Sequence, residues 1–246
     1  MAVRSGAPPK LASCSNCPIR HRAVCALCEP DELETLEDIK YYRSFEAGQP
    51  IVWAGDEMDF VASVVDGLAT LSRTMEDGRR QIMGLLMASD FIGRPGRNKV
   101  RYDVVAMTDV VLCCFRRKPF ENLVEQTPSI GRRLLDMSLD DLDAAREWML
   151  LLGRKTARER IASLLVMVFQ RDAALHATVA GTQLDVELPL SRENIADFLG
   201  ITLETVSRQL TLLKKDGVII LEGRRGLRVP DYARLLHETG EEPVSR

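Results

Sequence analysis

Three histidines, no long apolar run and no charge excess mark what this chain has little of. His21, His176 and His237 are scattered, with no nucleophile–base spacing and no glycine-rich phosphate loop around them, so nothing points to an enzyme. No apolar stretch approaches the ~18 residues of a membrane helix. The opening Met-Ala-Val-Arg-Ser-Gly-Ala-Pro-Pro-Lys has no apolar core of the kind a secretory signal needs. A cytoplasmic protein with reduced thiols is therefore expected. The 33 Lys and Arg nearly balance the 36 Asp and Glu, for a formal charge of −3. Any affinity for nucleic acid must then come from a local basic face.

Against that background the six cysteines stand out. Four sit at the front, in Cys14-Ser-Asn-Cys17 and Cys25-Ala-Leu-Cys28, and two are adjacent, Cys113 and Cys114. In a reducing compartment such clusters more often bind metal than form disulfides. Spacing alone leaves two readings equal. One is zinc on two Cys-x2-Cys knuckles; the other is an iron–sulfur cluster, which needs four thiolates. Cys113 and Cys114 share one candidate strand, so they face opposite ways and only one can be aimed at the front of the chain.

The rest of the sequence predicts an α+β protein in four stretches. Residues 1–30 form an arm carrying the cysteines. Residues 31–127 begin with a short helix (Leu33, Leu36 and Ile39 on one side) and continue as a β-sandwich or roll. Its strand candidates are Ile51–Trp53, Phe60–Val65, Leu68–Ser72, Gln81–Leu86, Val104–Met107 and Val110–Phe115, with Glu76-Asp77-Gly78 as a hairpin turn. Residues 128–153 predict one long helix, ended by Gly153. Leu135, Ser138, Leu142, Ala145, Met149 and Leu152 recur by threes and fours, the seam of a coiled coil, opposite charged positions. That pattern favours a homodimer over a helix packed only on its own domain. Residues 154–246 open with a capping box, Thr156-Ala-Arg-Glu159.

Within that last stretch Ser191 caps a helix ending at Gly200, and Thr202 caps the next, Leu203 to about Asp216. The very short turn between them suits a helix-turn-helix. Leu203, Val206, Leu210 and Leu213 share the face expected to be buried, and Glu204, Ser207, Arg208 and Thr211 the face free for a major groove. Arginine can bond guanine O6 and N7, and glutamate can accept from cytosine N4. Val218–Leu221 and Leu227–Val229 flank Glu222-Gly-Arg-Arg-Gly226, a hairpin whose Arg224 and Arg225 suit phosphates, as in a wing.

The segment Leu190–Arg208, together with Phe45-Glu-Ala-Gly48, Gly55-Asp56 and Gly67, resembles the superfamily of the cyclic-AMP receptor protein and the fumarate and nitrate reduction regulator. The resemblance implies a jelly-roll, cyclic-nucleotide-binding-like β-roll, a dimerisation helix and a winged helix. It also implies that Glu204, Ser207 and Arg208 read a TTGAT-like palindrome, one subunit per half-site, with RNA polymerase as a further partner. Cyclic nucleotide is not expected. The stretch Phe91–Asp103 has Arg94 where the nucleotide-binding branch has glutamate, and Arg101 is followed by Tyr102 instead of serine. The cysteines resemble instead the oxygen-sensing branch, with a spacing, Cys14-x2-Cys17-x7-Cys25, close to the FnrL-like type. In that branch an N-terminal trio and one β-roll cysteine hold a [4Fe–4S] cluster; here the resemblance implies Cys14, Cys17, Cys25 and Cys113. Arg20, His21 and Arg22 are either cations offsetting the cluster's negative charge or a solvated turn. Haem, zinc or a thiol–disulfide switch on the same fold are the alternatives. The implied mechanism is a DNA-binding dimer held by the cluster at low oxygen and released when oxygen destroys it.

Overall fold

The computed structural model describes residues 13–176, 184–188, 190–222 and 226–241. Contact density separates two compact units, Met1–Asp143 and Ala144–Arg246. No described helix is long and apolar enough to cross a membrane.

In the first unit a 3-10 turn at Cys14–Asn16 is capped by Ser13, whose hydroxyl accepts from the Ser15 N–H. Helix α1 (Pro30–Ile39) starts with proline in its first turn, and the Glu32 carboxylate accepts from the Glu29 N–H at 2.8 Å. Strand β1 (Lys40–Phe45) follows without a break. Then come β2 (Pro50–Val52), β3 (Phe60–Asp66), β4 (Ala69–Thr74), β5 (Arg80–Leu86), β6 (Phe91–Ile92), β7 (Asp103–Ala106) and β8 (Val110–Arg116). They form two antiparallel four-stranded sheets, β1-β8-β3-β6 and β2-β7-β4-β5. The Glu76-Asp77-Gly78 turn joins β4 to β5, with Gly78 at φ +86°.

One core lies between the sheets and includes Phe45, Phe60, Ala62, Val64, Val104, Leu112 and Cys114. The outer face of the β8 sheet is buried as well. Val61, Val65, Cys113 and Phe115 point into a second core, completed by Ile19, Val24, Leu36, Phe120, Leu123 and Ile130. These come from the cysteine loop, α1, α2 (Arg117–Gln126) and the first turns of α3 (Pro128–Arg154). Strand β3 is therefore buried on both faces and reads as an apolar run broken only by Ser63 before its final Asp66, not as an alternation. The α+β fold predicted from the sequence, a β-roll, a long helix and a C-terminal winged helix-turn-helix, is the fold observed.

Two local readings are corrected. Strands β1 and β6 and helix α2 were not among the predicted elements. Gly153 does not end α3, which runs on to Arg154. A glycine inside a helix costs only about 0.5–1 kcal/mol. The helix stops where Arg160 takes the carbonyls at its end: the guanidinium donates to Leu152 O at 2.6 Å and, one residue past the helix, to Lys155 O at 2.9 Å.

The second unit contains α4 (Ala157–His176), β9 (Leu184–Glu187), α5 (Arg192–Leu199), α6 (Leu203–Lys215), β10 (Ile220–Glu222), β11 (Gly226–Val229) and α7 (Tyr232–His237). The predicted capping box closes: Thr156 N donates to Glu159 Oε2 at 2.7 Å and Glu159 N to Thr156 Oγ1 at 3.4 Å. The hairpin β10–β11 gains a third strand, β9, in the order β10-β11-β9. Arg160 also donates to Leu199 O, at the end of α5. Arg158 of α4 grips Glu238 with two nitrogens at 2.6 and 2.9 Å and Asp216 with the third at 2.8 Å, pinning the ends of α6 and α7.

Candidate metal centre and nucleic-acid interface

Antiparallel pairing sets one wall of a cysteine-lined cavity. In β8 the side chains alternate, so Leu112 and Cys114 enter the core between the sheets while Cys113 and Phe115 face outward. Tyr42 of β1 and Ser63 of β3 lie on either side of Cys113 in register. The loop over residues 13–28 covers this wall. Together they enclose a cavity of about 20 Å³, lined by Cys14, Cys17, Cys25, Cys113, Tyr42 and Ser63 and by apolar side chains such as Ile19, Val24, Leu36 and Phe115. Cys28 does not line it. Its thiol is buried beside Ser129 of α3 and Glu32 of α1. Cys114 lies fully buried on the far side of the sheet.

All six cysteines are free thiols. Burial pushes Cys25 up to about 11 and Cys113 well above its ordinary value, and the neighbouring sulfurs add to both shifts. Cys28 rises to about 11 and Cys114 to about 12, again chiefly through burial. Cys14 is raised less, because Lys40 opposes the desolvation by donating to its Sγ at 3.2 Å. Lys40 also pairs with Glu37 at 3.3 Å, and Glu37 accepts from Cys14 N at 3.1 Å. This Lys40–Glu37 pair went unnoticed in the sequence. Arg20, read there as a counter-ion or a solvated residue, is a clasp: its guanidinium donates to the carbonyls of Cys25, Ala26 and Cys28 at 2.9–3.1 Å. His21 and Arg22 are exposed.

The cysteine loop is tied to the long helix. Arg133 of α3 donates from Nε to Ala23 O at 3.3 Å and from Nη2 to Arg22 O. Ser129 donates to Glu32 of α1 at 2.8 Å. Further along α3, Leu135, Leu142, Ala145 and Met149 are exposed and Leu152 is half-buried. Leu139 and Leu150 are exposed beside them, and Met149 shows 73% of its surface. A row of large apolar side chains left in water on one helix is what a partner surface requires.

Among the described residues, no three His, Cys, Asp or Glu stand close enough together to hold a single metal ion. The donor set still suits a polynuclear cluster. Among the described residues, four thiols share one cavity, no carboxylate lines it, and Lys40 donates to one of the sulfurs. It also holds an unpartnered donor: Ser63 Oγ is buried with no hydrogen-bond partner. Such a group costs about 1–3 kcal/mol.

In the second unit, Ser191 Oγ accepts from Asn194 N at 3.1 Å and Thr202 Oγ1 from Thr205 N at 3.2 Å, so both helix starts are capped as predicted. Gly200 takes the left-handed conformation, φ +62°, that lets α5 end and α6 begin at once. Val206, Leu210 and Leu213 are buried. Leu203, assigned to the same face, is 46% exposed, because it sits in the first turn beyond the α5 packing. Glu204, Arg208 and Thr211 are exposed and Ser207 is half-buried. The Glu204 carboxyl is held below the usual range by its own backbone N–H and the Thr202 hydroxyl, so it is an ionised acceptor. Arg192, missed in the sequence, donates to Ser207 Oγ at 3.4 Å. Thr211 Oγ1 donates back to Ser207 O at 2.8 Å. Arg224 and Arg225 lie outside the described residues.

A second cavity, about 320 Å³, opens in the β-roll between an apolar floor that includes Leu71 and Val104 and a rim with Arg94, Arg101 and Tyr102.

A β-roll unit followed by a unit that pairs a helix-turn-helix with a small antiparallel sheet defines a two-unit transcription regulator. Residues 42–127 match the cyclic nucleotide-binding domain family and residues 159–238 the Crp-like helix-turn-helix domain family. The transcriptional activator protein FnrL of Cereibacter sphaeroides is 64% identical over 96% of this chain and 95% of its own length. The nitrogen fixation regulation protein FixK of Bradyrhizobium diazoefficiens is 35% identical over 90% and 92%. The structure of FixK2 from Bradyrhizobium japonicum superposes with a TM-score of 0.74 at 29% identity, covering 83% of this chain and all of that one. This chain belongs to the CRP/FNR family of transcription regulators.

Proposed function

We propose that this regulator senses oxygen through a [4Fe–4S] cluster that gates a DNA-binding homodimer. The observation that carries the reading is the convergence of Cys14, Cys17, Cys25 and Cys113 on one cavity, beneath a loop tied to α3 by Arg133. Cys14, Cys17 and Cys25 would hold the cluster from the arm and Cys113 from β8. When bound, such a cluster supplies an oxygen-labile cross-link between arm and sheet. The cavity has room for about one water, so the loop over residues 14–25 must move outward to accommodate it. Lys40 offsets negative charge at Cys14. Once released, the buried thiols take up protons, since burial holds their pKa values above neutrality.

The consequence for DNA runs along α3. Ile130, Leu134 and Met137 pack on the loop's own core, and the exposed row Leu135–Met149 forms the seam with a second copy. With the seam closed, two α6 helices present Glu204, Ser207, Arg208 and Thr211 to successive major grooves of a TTGAT-like palindrome, about 34 Å apart. RNA polymerase is then the partner at the promoter. Zinc is disfavoured because Cys28, which the double Cys-x2-Cys arrangement needs, faces Ser129 and Glu32 and not the cavity. Cyclic nucleotide is disfavoured because Arg94 and Tyr102 stand on the rim of the larger cavity where glutamate and serine would hold the ligand.

The test is iron and sulfide analysis after strictly anaerobic purification, with an absorption spectrum and DNA binding followed before and after air. A broad brown shoulder, about four irons and four sulfides per chain, and DNA binding lost with the colour are expected. A sharp Soret band, or zinc alone, would overturn the reading.

A further inference from the structure

Ser63 is out of place for its surroundings. It belongs to the outward row of β3, where its neighbours on the same face, Val61 and Val65, are apolar and buried. The residue itself is 2% exposed. In register it lies directly opposite Cys113, and it lines the cavity shared with Cys14, Cys17 and Cys25. Its hydroxyl has no partner. A valine would suit the strand and the core better. A buried hydroxyl kept at a cost is aimed at something, and Ser63 borders the cavity lined by Cys14, Cys17, Cys25 and Cys113.

We propose that Ser63 is a positioning residue whose hydroxyl donates a hydrogen bond to a sulfur of the bound cluster, the Cys113 thiolate or an adjacent sulfide. This rests on the iron–sulfur reading above and extends it. A donor on a cluster sulfur favours the more negative, reduced form and so raises the reduction potential. Ser63 thereby makes the cluster harder to oxidise and sets how much oxygen is needed to release the dimer. Among the described residues Tyr42, on the other side of Cys113, is the only other polar side chain lining the cavity apart from the cysteines, so loss of Ser63 leaves few substitutes.

The two states of the protein predict opposite effects of Ser63→Ala. Without the cluster, removing an unpartnered hydroxyl should leave the melting temperature unchanged or raise it. With the cluster, the midpoint potential should shift to more negative values, and bleaching in air-saturated buffer should speed up by roughly tenfold, the factor expected for one lost hydrogen bond to a charged acceptor. Ser63→Thr, which keeps the hydroxyl, should restore the potential. Anaerobic wild-type protein is assayed for iron and sulfide alongside. If it holds none, the oxygen-sensing reading fails and the role of Ser63 with it. If it holds the cluster and Ser63→Ala leaves the potential where it was, only the role of Ser63 is overturned. An equal loss of melting temperature in both states would also overturn it, because a merely structural serine stabilises both.

Discussion

Cys25 and Cys28 are three residues apart on one loop, yet only Cys25 borders the cavity. The Arg20 clasp accounts for this. By gathering the carbonyls of Cys25, Ala26 and Cys28 it curls the loop, turning Cys28 down toward Ser129 and leaving Cys25 over Cys113. Serine at Cys14, Cys17, Cys25 or Cys113 should therefore abolish bound iron and the brown chromophore. Cys28→Ser should retain both. Cys114 lies in an apolar core, where serine would strand a hydroxyl, so Cys114→Ala is the cleaner control and should also keep its iron. Iron analysis of the six variants decides the assignment: cluster loss in Cys28→Ser with retention in Cys25→Ser would reverse it. At this scale the sequence could offer residue types but not their neighbours. Lys40 is 26 residues from Cys14, and Ser63 reaches Cys113 only through the β3–β8 register, so neither carried a local signal. The opposite facing of Cys113 and Cys114 was legible, because strand alternation is a local rule.

Among the elements, those with strong caps or clear turns were legible, while those made by tertiary contact were not. Ser191, Gly200, Thr202 and the Thr156–Glu159 box each mark an end through a bond within four residues. Helix α2 lacks such marks. It begins without a side-chain cap, carries Pro119, and buries only Phe120 and Leu123. Strand β1 follows α1 directly and shows no two-residue alternation in its burial. Strand β9 exists only because β11 pairs with it. The exposed row on α3 carries its own prediction. A glutamate at position 149 would have to be buried unpaired in a dimer, at a cost of several kcal/mol. Anaerobic Met149→Glu should sediment as a monomer; a dimer of unchanged size would remove the seam from Met149. The clamp of Arg158 on Glu238 makes a pH prediction. Its hydrogen bonds hold the Glu238 carboxyl below the usual range. A depressed carboxyl stabilises the fold above its unfolded value, about 4.3, and loses that contribution as pH falls through the folded value. The second unit should therefore melt at lower temperature below about pH 4. Arg158→Ala should lower the neutral melting temperature and flatten that acid dependence, as scanning calorimetry at several pH values would show.

For the whole molecule, the order of parts was readable because each has its own periodicity: glycine-punctuated short strands, one long helical seam, then capped short helices with a basic turn. The chain carries only a small net negative charge, so its hold on DNA must be concentrated where positive groups are exposed. Arg208 is one such group, exposed one turn beyond the ionised Glu204 on α6. Its planar fork suits guanine O6 and N7. Lysine cannot reproduce two parallel bonds, so Arg208→Lys should behave nearly as badly as Arg208→Ala. Either change should cost about 1–3 kcal/mol per half-site and relax the preference at one base pair. On the proposed reading of two half-sites by a dimer, the loss should appear twice on a palindrome and once on a site with one half already scrambled. Arg224 and Arg225 should act differently: alanine there should weaken all sequences alike and flatten the dependence on salt, the mark of phosphate contacts. Titrations on a TTGAT-type palindrome and on point-substituted sites, each at two salt concentrations, separate these outcomes. Uniform weakening by Arg208→Ala across every site would make Arg208 a phosphate contact and shift base reading to Glu204, Ser207 or Arg192, which bonds Ser207.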